Sequence, residues 1–392
     1  MSWWIFFTSK FTSLSAYTLR KNGLSAVVCF CIRSTCGKVA ALCGGKKQMS
    51  TPGREQGPQP SEQLMQLASG YMVSSALYTA TKLGIPGLLK DGPKSTRDLA
   101  RTTGSHEDSL YRLLRALASA GVFNESAPRS FELTAVGELL RADRDDSIHD
   151  MVLWLDNPFH FQTHSEMSHA VKTGETVVEK IFAESCFGYL QKDKELGEVF
   201  NRAMTTFSKM LTPAVLEAYD FSYLDGKTLV DIGGGHGHLL TMILKKHPAI
   251  RGVIFDLDHV HAGAKSRISE HGLTGRCETA GGDFFAEVPA ADAYIMKHII
   301  HDWSDEKALT ILKNCHKAGR GRTKVILVEA VLTPGNEPSF AKWLDLEMLL
   351  LPGGRERTEA DFARLFEQAG FVLTCAVQTK SPVCVLEAER RA

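Results

Sequence analysis

From Lys227 onward the chain alternates short apolar runs with amphipathic ones, and this alternation limits the fold more than any other feature. Thr228–Ile232 reads as a buried strand, and Leu239–Lys246 as a helix that stops at His247-Pro248. Gly252–Leu257 is a second strand and Val260–His271 a second helix. A third strand precedes Gly282-Asp283, Ala293–Met296 is a fourth, Glu306–Ala318 a helix and Lys324–Glu329 a fifth strand. Apolar strands linked by helices predict an open parallel sheet covered on both faces. Ligands of such sheets sit beyond the C-terminal strand ends, where strand order reverses. Asp231 ends the first strand, Asp256 ends the second, Asp283 follows the third and Lys297 the fourth.

A glycine-rich stretch, Gly233-Gly234-Gly235-His236-Gly237, joins the first strand to its helix. Such loops serve dinucleotides and methyl donors alike. Gly233, Gly235 and His238 occupy the three glycine positions of the dinucleotide fingerprint, so its last glycine is missing. Asp256, about 20 residues on, suits a ribose diol, because a carboxylate accepts both hydroxyl hydrogens. His301-Asp302-Trp303 follows the fourth strand at the ligand edge. An imidazole there can take a proton from a phenol, with Asp302 to orient it and Trp303 to pack beneath. A carboxylate beside the imidazole would stabilise its protonated form. Glu329, ending the fifth strand, and Glu356, in the Gly353–Thr358 loop, are both candidates. Glu356 has plainer readings too, as a partner of Arg355 or Arg357 or as part of the helix start at Thr358-Glu359-Ala360-Asp361.

Upstream, Leu64, Leu67, Ala68, Tyr71 and Met72 recur at helical spacing. Ser95-Thr96 caps a short helix, Gly104-Ser105 turns, and Leu110, Leu113, Leu114 and Leu117 mark an amphipathic helix ending at Gly121. Val122-Phe123 and Phe131-Glu132-Leu133 complete a winged-helix pattern. That pattern allows DNA binding, but Asp98, Glu107 and Asp108 dilute the charge of Arg112 and Arg115. The stretch 150–215 is rich in aromatic residues for the core and for the wall of a flat apolar pocket.

Charge and cysteine usage narrow the class. The 392 residues carry 45 basic and 45 acidic side chains, so nothing global favours a polyanionic partner. The nine cysteines lack paired zinc-ligand spacing and fit a reducing compartment. Residues 1–48 hold seven Lys and Arg and no acid, the composition of an organellar transit peptide. The plainer reading is translation from Met49, followed by a Pro-, Gly- and Gln-rich leader. No apolar run reaches the ~18–20 residues of a membrane span.

Taken in order, Val230–Gly237, Phe255-Asp256-Leu257, Gly282-Asp283-Phe284-Phe285, His301–Glu306 and Gly353–Thr358 resemble the small-molecule O-methyltransferases, the family of caffeate, flavonoid, acetylserotonin and bacterial polyketide-tailoring enzymes. The resemblance covers residues 61–388. It implies S-adenosylmethionine as cofactor, a metal-independent Rossmann-like catalytic domain over 221–392, and a helical winged-helix domain over 61–150 that builds a homodimer. Residues 151–220 would be linker and substrate-pocket helices, and 1–60 a disordered leader. By position, Asp231, Gly233, Gly235 and Gly282 would line the cofactor, Asp256 bind its ribose, Asp283 and Phe284 its adenine, and Lys297 contact it. His301 would be the general base, flanked by Glu329 and Glu356. Tyr189, Met204, Phe207 and Glu347 would face the acceptor, a small phenolic or indolic molecule. Glu347 stands where an asparagine is frequent in the acetylserotonin and bacterial branches, which leaves the acceptor open.

Two other classes stay open on the residues alone: a nicotinamide-dependent oxidoreductase, and a ligand-sensing DNA-binding regulator. The expected enzyme is cytoplasmic, or mitochondrial or plastid-imported if residues 1–48 are a transit peptide, with no nucleic-acid or membrane partner. A chain starting at Met49 is expected to keep its melting temperature and activity, because little buried backbone is lost. A loss of several degrees would show that the segment packs on the core.

Overall fold

The computed structural model describes residues 59–391. The readings of residues 1–48 and of the leader through residue 58 lie outside them. The chain divides into two compact units at Gly70/Tyr71. In the first, the described residues form the helix Pro60–Ala68, opened by proline, which presets φ at a helix start. Leu64, Met65 and Leu67 are largely exposed on it. A second helix, Gly70–Lys82, leaves Tyr71 and Met72 exposed.

The second unit begins with the expected winged-helix pattern. The Ser95 hydroxyl accepts the Asp98 amide at 3.1 Å and opens the helix Thr96–Thr103, which ends at left-handed Gly104. The helix Glu107–Ser119 buries Leu110, Leu114 and Leu117. Three short strands, β1 (Lys94–Ser95), β2 (Phe123–Ala127) and β3 (Ser130–Leu133), pair in the order β1-β3-β2. Arg129 is paired with Asp108 at 2.8 Å and lies over the Tyr111 ring, so acidic and aromatic partners take up this cation.

The catalytic sheet has seven strands: β4 (Thr228–Ile232), β5 (Arg251–Asp256), β6 (Cys277–Gly281), β7 (Ala293–Lys297), β8 (Lys324–Glu329), β9 (Phe371–Gln378) and β10 (Cys384–Arg390). Their spatial order is β6-β5-β4-β7-β8-β10-β9. The first five run parallel, as the alternation predicted. Two further strands extend this parallel sheet, β10 antiparallel to β8 and β9 antiparallel to β10. The physical reason is a short turn: β9 and β10 are joined by five residues (379–383), too few for a parallel crossover.

Alternate residues of the central strands enter two separate cores. Leu229, Ile254, Ile295 and Ile326 face one side, with the helix His238–Lys246. Val230, Val253, Tyr294, Met296 and Leu327 face the other, with the helices Asp305–Ala318 and Glu359–Gln368. Burial on both faces explains why these strands read as unbroken apolar runs. The chain moves outward from β4 to β5 and β6, then returns to β7 on the other side of β4. The reversal lies between β4 and β7, and both strands point their C-terminal ends at one edge. The long helix Lys194–Ala218 packs against His149–Leu155 and His238–Lys246. It carries Met204 and Phe207.

Candidate active site

The glycine loop and the histidine segment meet at this edge. Gly233 has φ +64°, and a Cβ there would stand 2.4 Å from Ile299 Cδ1, so only glycine admits both the turn and the contact. The Gly233 amide donates to the Phe255 carbonyl at 2.8 Å, and the Gly235 amide to Asp256 Oδ2 at 2.8 Å. Asp256 Oδ1 accepts the Leu257 amide at 2.7 Å. Asp256 therefore shapes the loop, while each of its oxygens keeps a lone pair for a ribose hydroxyl. Asp283 Oδ1 accepts the Phe285 amide at 2.8 Å, which fixes the turn that carries Phe284. Asn314 donates to the carbonyls of Phe284 and Phe285, a support invisible in the motif because it comes from a helix 30 residues on. Asp231 is buried beside this loop, and Lys297 is half-buried. Burial raises Asp231 to about 7 against the pull of Lys297, and burial lowers the Lys297 ammonium despite Asp231 and Glu329.

His301 sits in the 3-10 turn Ile300–Asp302 directly after β7 and is buried. Its Nδ1 lies 2.7 Å from Glu356 Oε1. Its Nε2 is 3.5 Å from Asp302 Oδ1, beyond a good hydrogen bond. Glu356, rather than Asp302, thus orients the ring. The plainer readings of Glu356 also yield to this contact: Arg357 binds Asp305, and the capping box at Thr358 uses Asp361. Glu329 has a different task. Its Oε1 accepts the amides of Ile299 and Ile300 at 3.2 and 2.9 Å, so it braces the backbone before His301. Rather than beneath His301, the Trp303 ring packs on Phe285, Phe187 and Phe284, at 4.7, 5.4 and 6.0 Å between centroids.

Burial sets the proton affinities here. It pushes Glu356 up to about 8, reinforced by the Asp345 carboxylate and opposed by Arg357. It pushes Asp302 and Glu329 up to about 7, with His301 opposing both shifts. His298, between Phe207 and His301, is driven well below the usual imidazole range, first by burial and then by His301 and Lys297.

The expected wall residues divide. Phe207 lies 5.1 Å from His298, ring to ring, and so belongs to the His301 neighbourhood. Tyr189 stacks on Phe182 and Phe159, and Met204 packs in the same aromatic cluster. Glu347 is held between His160 at 2.7 Å and His164 at 3.3 Å. Burial raises its pKa, but the two imidazoles outweigh that and hold it at about 2.

Fully buried Arg357 was the residue that motif reading missed. It donates to Asp305 Oδ1 and to the carbonyls of Ile300 and Trp303 at 2.7 to 2.9 Å. Only its identity within the Gly-Gly-Arg-Glu-Arg-Thr run signalled it, because the partners lie 52 or more residues away.

A glycine loop shaped by close backbone contacts thus lies at the same sheet edge as a buried histidine–carboxylate pair. Residues 164–372 match the O-methyltransferase domain family, and residues 65–143 match the O-methyltransferase dimerisation domain. Phenazine O-methyltransferase PhzM of Lysobacter antibioticus is 44% identical over 326 residues, 83% of this chain and 95% of that one. The crystal structure of LaPhzM superposes with a TM-score of 0.82 at 43% identity, covering 85% of this chain and all of that one. NcsB1, from neocarzinostatin biosynthesis, superposes at 0.69 with 31% identity over 80% of this chain and 95% of its own. Its structure holds S-adenosylmethionine and 2-hydroxy-5-methyl naphthoic acid. The chain belongs to the S-adenosylmethionine-dependent O-methyltransferases. This membership removes the oxidoreductase reading. Among the described residues, no helix is long and apolar enough to cross a membrane.

One glycine tests the site geometry. A Cβ on Gly354 would stand 2.0 Å from the His301 carbonyl oxygen. Gly354→Ala should therefore push the Glu356 loop away from His301. Denaturant unfolding should show a loss of about 1–3 kcal/mol, the usual cost of overpacking, with methyl transfer reduced beyond the loss of folded protein. Unchanged stability and turnover would show that the loop yields freely.

Proposed function

We propose that the chain moves a methyl group from S-adenosylmethionine to a hydroxyl of a small aromatic acceptor, with His301 as general base. The observation that carries this reading is the buried His301 Nδ1–Glu356 Oε1 contact of 2.7 Å. An ionised Glu356 accepts the Nδ1 proton, which leaves the Nε2 lone pair free to take a hydroxyl proton. The cofactor supplies a methyl group on a sulfonium, an activated leaving group. Asp231, Gly233, Gly235, Asp256, Gly282, Asp283, Phe284 and Lys297 would hold it. Glu329 keeps the backbone before His301 in place, and Tyr189, Met204, Phe207 and Glu347 would shape the acceptor side. Holding both reactants in line supplies much of the rate of such a transfer.

The relatives' phenazine and hydroxynaphthoic acid suggest a flat, hydroxylated fused-ring acceptor. Incubation with labelled S-adenosylmethionine and a panel of hydroxyphenazines, hydroxynaphthoates and catechols, read by mass spectrometry, tests this reading. It is abandoned if no acceptor gains a methyl group. His301→Ala should lower kcat by ~10²–10⁴ with cofactor affinity nearly unchanged. Turnover within a few-fold of wild type would remove the base.

The pH profile follows from Glu356. A carboxyl raised to about 8 is protonated below that pH and ionised above it. Only the ionised form leaves His301 with a free Nε2 lone pair, so kcat should rise with pH through about 8. Glu356→Gln should lose this rising limb; a limb that persists would assign it to another group.

The dimerisation match and the exposed apolar side chains of the helices Pro60–Ala68 and Gly70–Lys82 also support a homodimer. Sedimentation at micromolar protein should show twice the chain mass, and a monomer there would count against it.

A further inference from the structure

Beside the base lies a set of groups that proton transfer does not use. His298 is buried, 7% exposed, and neither ring nitrogen has a hydrogen-bond partner. Fully buried Glu329 holds two amides with Oε1, while Oε2 has none. His298 Nδ1 lies 3.7 Å from that Oε2. One donor atom from each of His298, His301 and Glu329 falls within 4.8 Å of the others. His298 also has φ +53°, a left-handed conformation that non-glycine residues seldom adopt. Buried unpaired polar atoms and a strained backbone both destabilise the fold, and in enzymes they coincide where a ligand compensates for them.

We propose that His298, His301 and Glu329 form a binding site for a divalent transition metal of the zinc class, whose occupancy silences the enzyme. The silencing rests on the reading of His301 as base; the binding does not. Two imidazoles and one carboxylate suit zinc or cobalt better than magnesium or calcium, which favour all-oxygen shells. Three protein ligands leave a fourth position open. The His301 ring already has the outer partner that metal-bound histidines usually show, a carboxylate on the far nitrogen. With Nδ1 on Glu356, Nε2 is the free donor. Bonds near 2 Å around a tetrahedral ion place donors about 3.4 Å apart. The His298–Glu329 pair is already near that spacing, and His301 needs only a small inward shift. The ion then occupies the lone pair that would take the hydroxyl proton. No bond of the acceptor or cofactor is made or broken; the metal takes lone pairs of His301 Nε2, His298 Nδ1 and Glu329 Oε2.

The test titrates the chelator-treated full chain with Co²⁺, without cofactor or acceptor. One equivalent should bind with the visible ligand-field bands of a low-coordinate nitrogen and oxygen site, and Zn²⁺ should displace it. His298→Asn is the decisive variant, because asparagine tolerates the left-handed backbone while removing the imidazole. It should weaken Co²⁺ binding by ~10²-fold or more, since losing even an outer partner of a metal ligand costs up to that factor. Glu329→Gln is the second variant, and circular dichroism verifies that both fold. Zn²⁺ should also lower wild-type methyl transfer, with recovery on adding chelator. The site is overturned if no Co²⁺ binds, if His298→Asn binds it as tightly, or if the spectrum shows thiolate charge transfer from a cysteine. Activity lost to chelator and restored by Zn²⁺ would overturn the silencing role. Binding that His298→Asn abolishes, without any effect of Zn²⁺ on turnover, would keep the site and refute His301 as base.

Discussion

The buried guanidinium of Arg357 is the interaction on which the site depends. His301 and its carboxylate partner Glu356 come from segments 55 residues apart. One is a single 3-10 turn and the other a loop, so the sheet alone cannot hold them at 2.7 Å. Arg357 does so by gripping Ile300 and Trp303 through their carbonyls and Asp305 through its carboxylate, on either side of His301. The Arg355 amide adds a backbone bond to the His301 carbonyl at 2.8 Å, and Asp345 accepts the Glu356 amide at 2.8 Å. A planar fork with five donors satisfies several carbonyls and a carboxylate at once, which a lysine does not. Once these bonds are made, the His301 and Glu356 rings and oxygens have little freedom left, and a preorganised base loses no free energy to reorientation during reaction.

The same enclosure creates an electrostatic problem. Asp231, Asp302, Glu329 and Glu356 crowd one sheet edge, with half-buried Lys297 and fully buried Arg357 as neighbouring cations. Desolvation raises all four carboxyls toward neutrality, so each sits near a protonation boundary at physiological pH. The catalytic edge can therefore take up or release protons with small changes in geometry.

The sheet was legible because its strands are apolar on both faces: the observed Thr228–Ile232 and Lys324–Glu329 coincide with the expected strands. The antiparallel pair β9 and β10 was not legible, although burial alternates along β9, because a hairpin lies outside the strand–helix rhythm of the preceding chain. At the site, His301 and Glu356 were legible as residue types in short motifs. Which acidic group orients the ring was not, since Glu329, Asp302 and Glu356 are equally plausible without distances. Arg357, Asn314 and His298 escaped for a related reason. Their tasks are defined by partners far along the chain or by the absence of partners, and neither leaves a local pattern.

Glu347 stands where the family pattern frequently has an asparagine, so a carboxylate replaces an amide. In the fold it faces His160 and His164, and Trp154 packs edge-on against His160 at 4.5 Å. A carboxylate held at about 2 stays ionised across the working range, and two imidazoles lie within 3.3 Å of its oxygens. Burying a carboxylate beside such partners costs less than burying it alone. The three residues thus tie the helix Phe340–Leu350 to the helix Pro158–Ser165, the one carrying Glu347 and the other both histidines. Because Asp345 on the first helix also anchors the Glu356 amide, this tie reaches the base through one short segment. The Glu347 carboxylate therefore fixes the position of its own helix relative to the one that carries the two histidines.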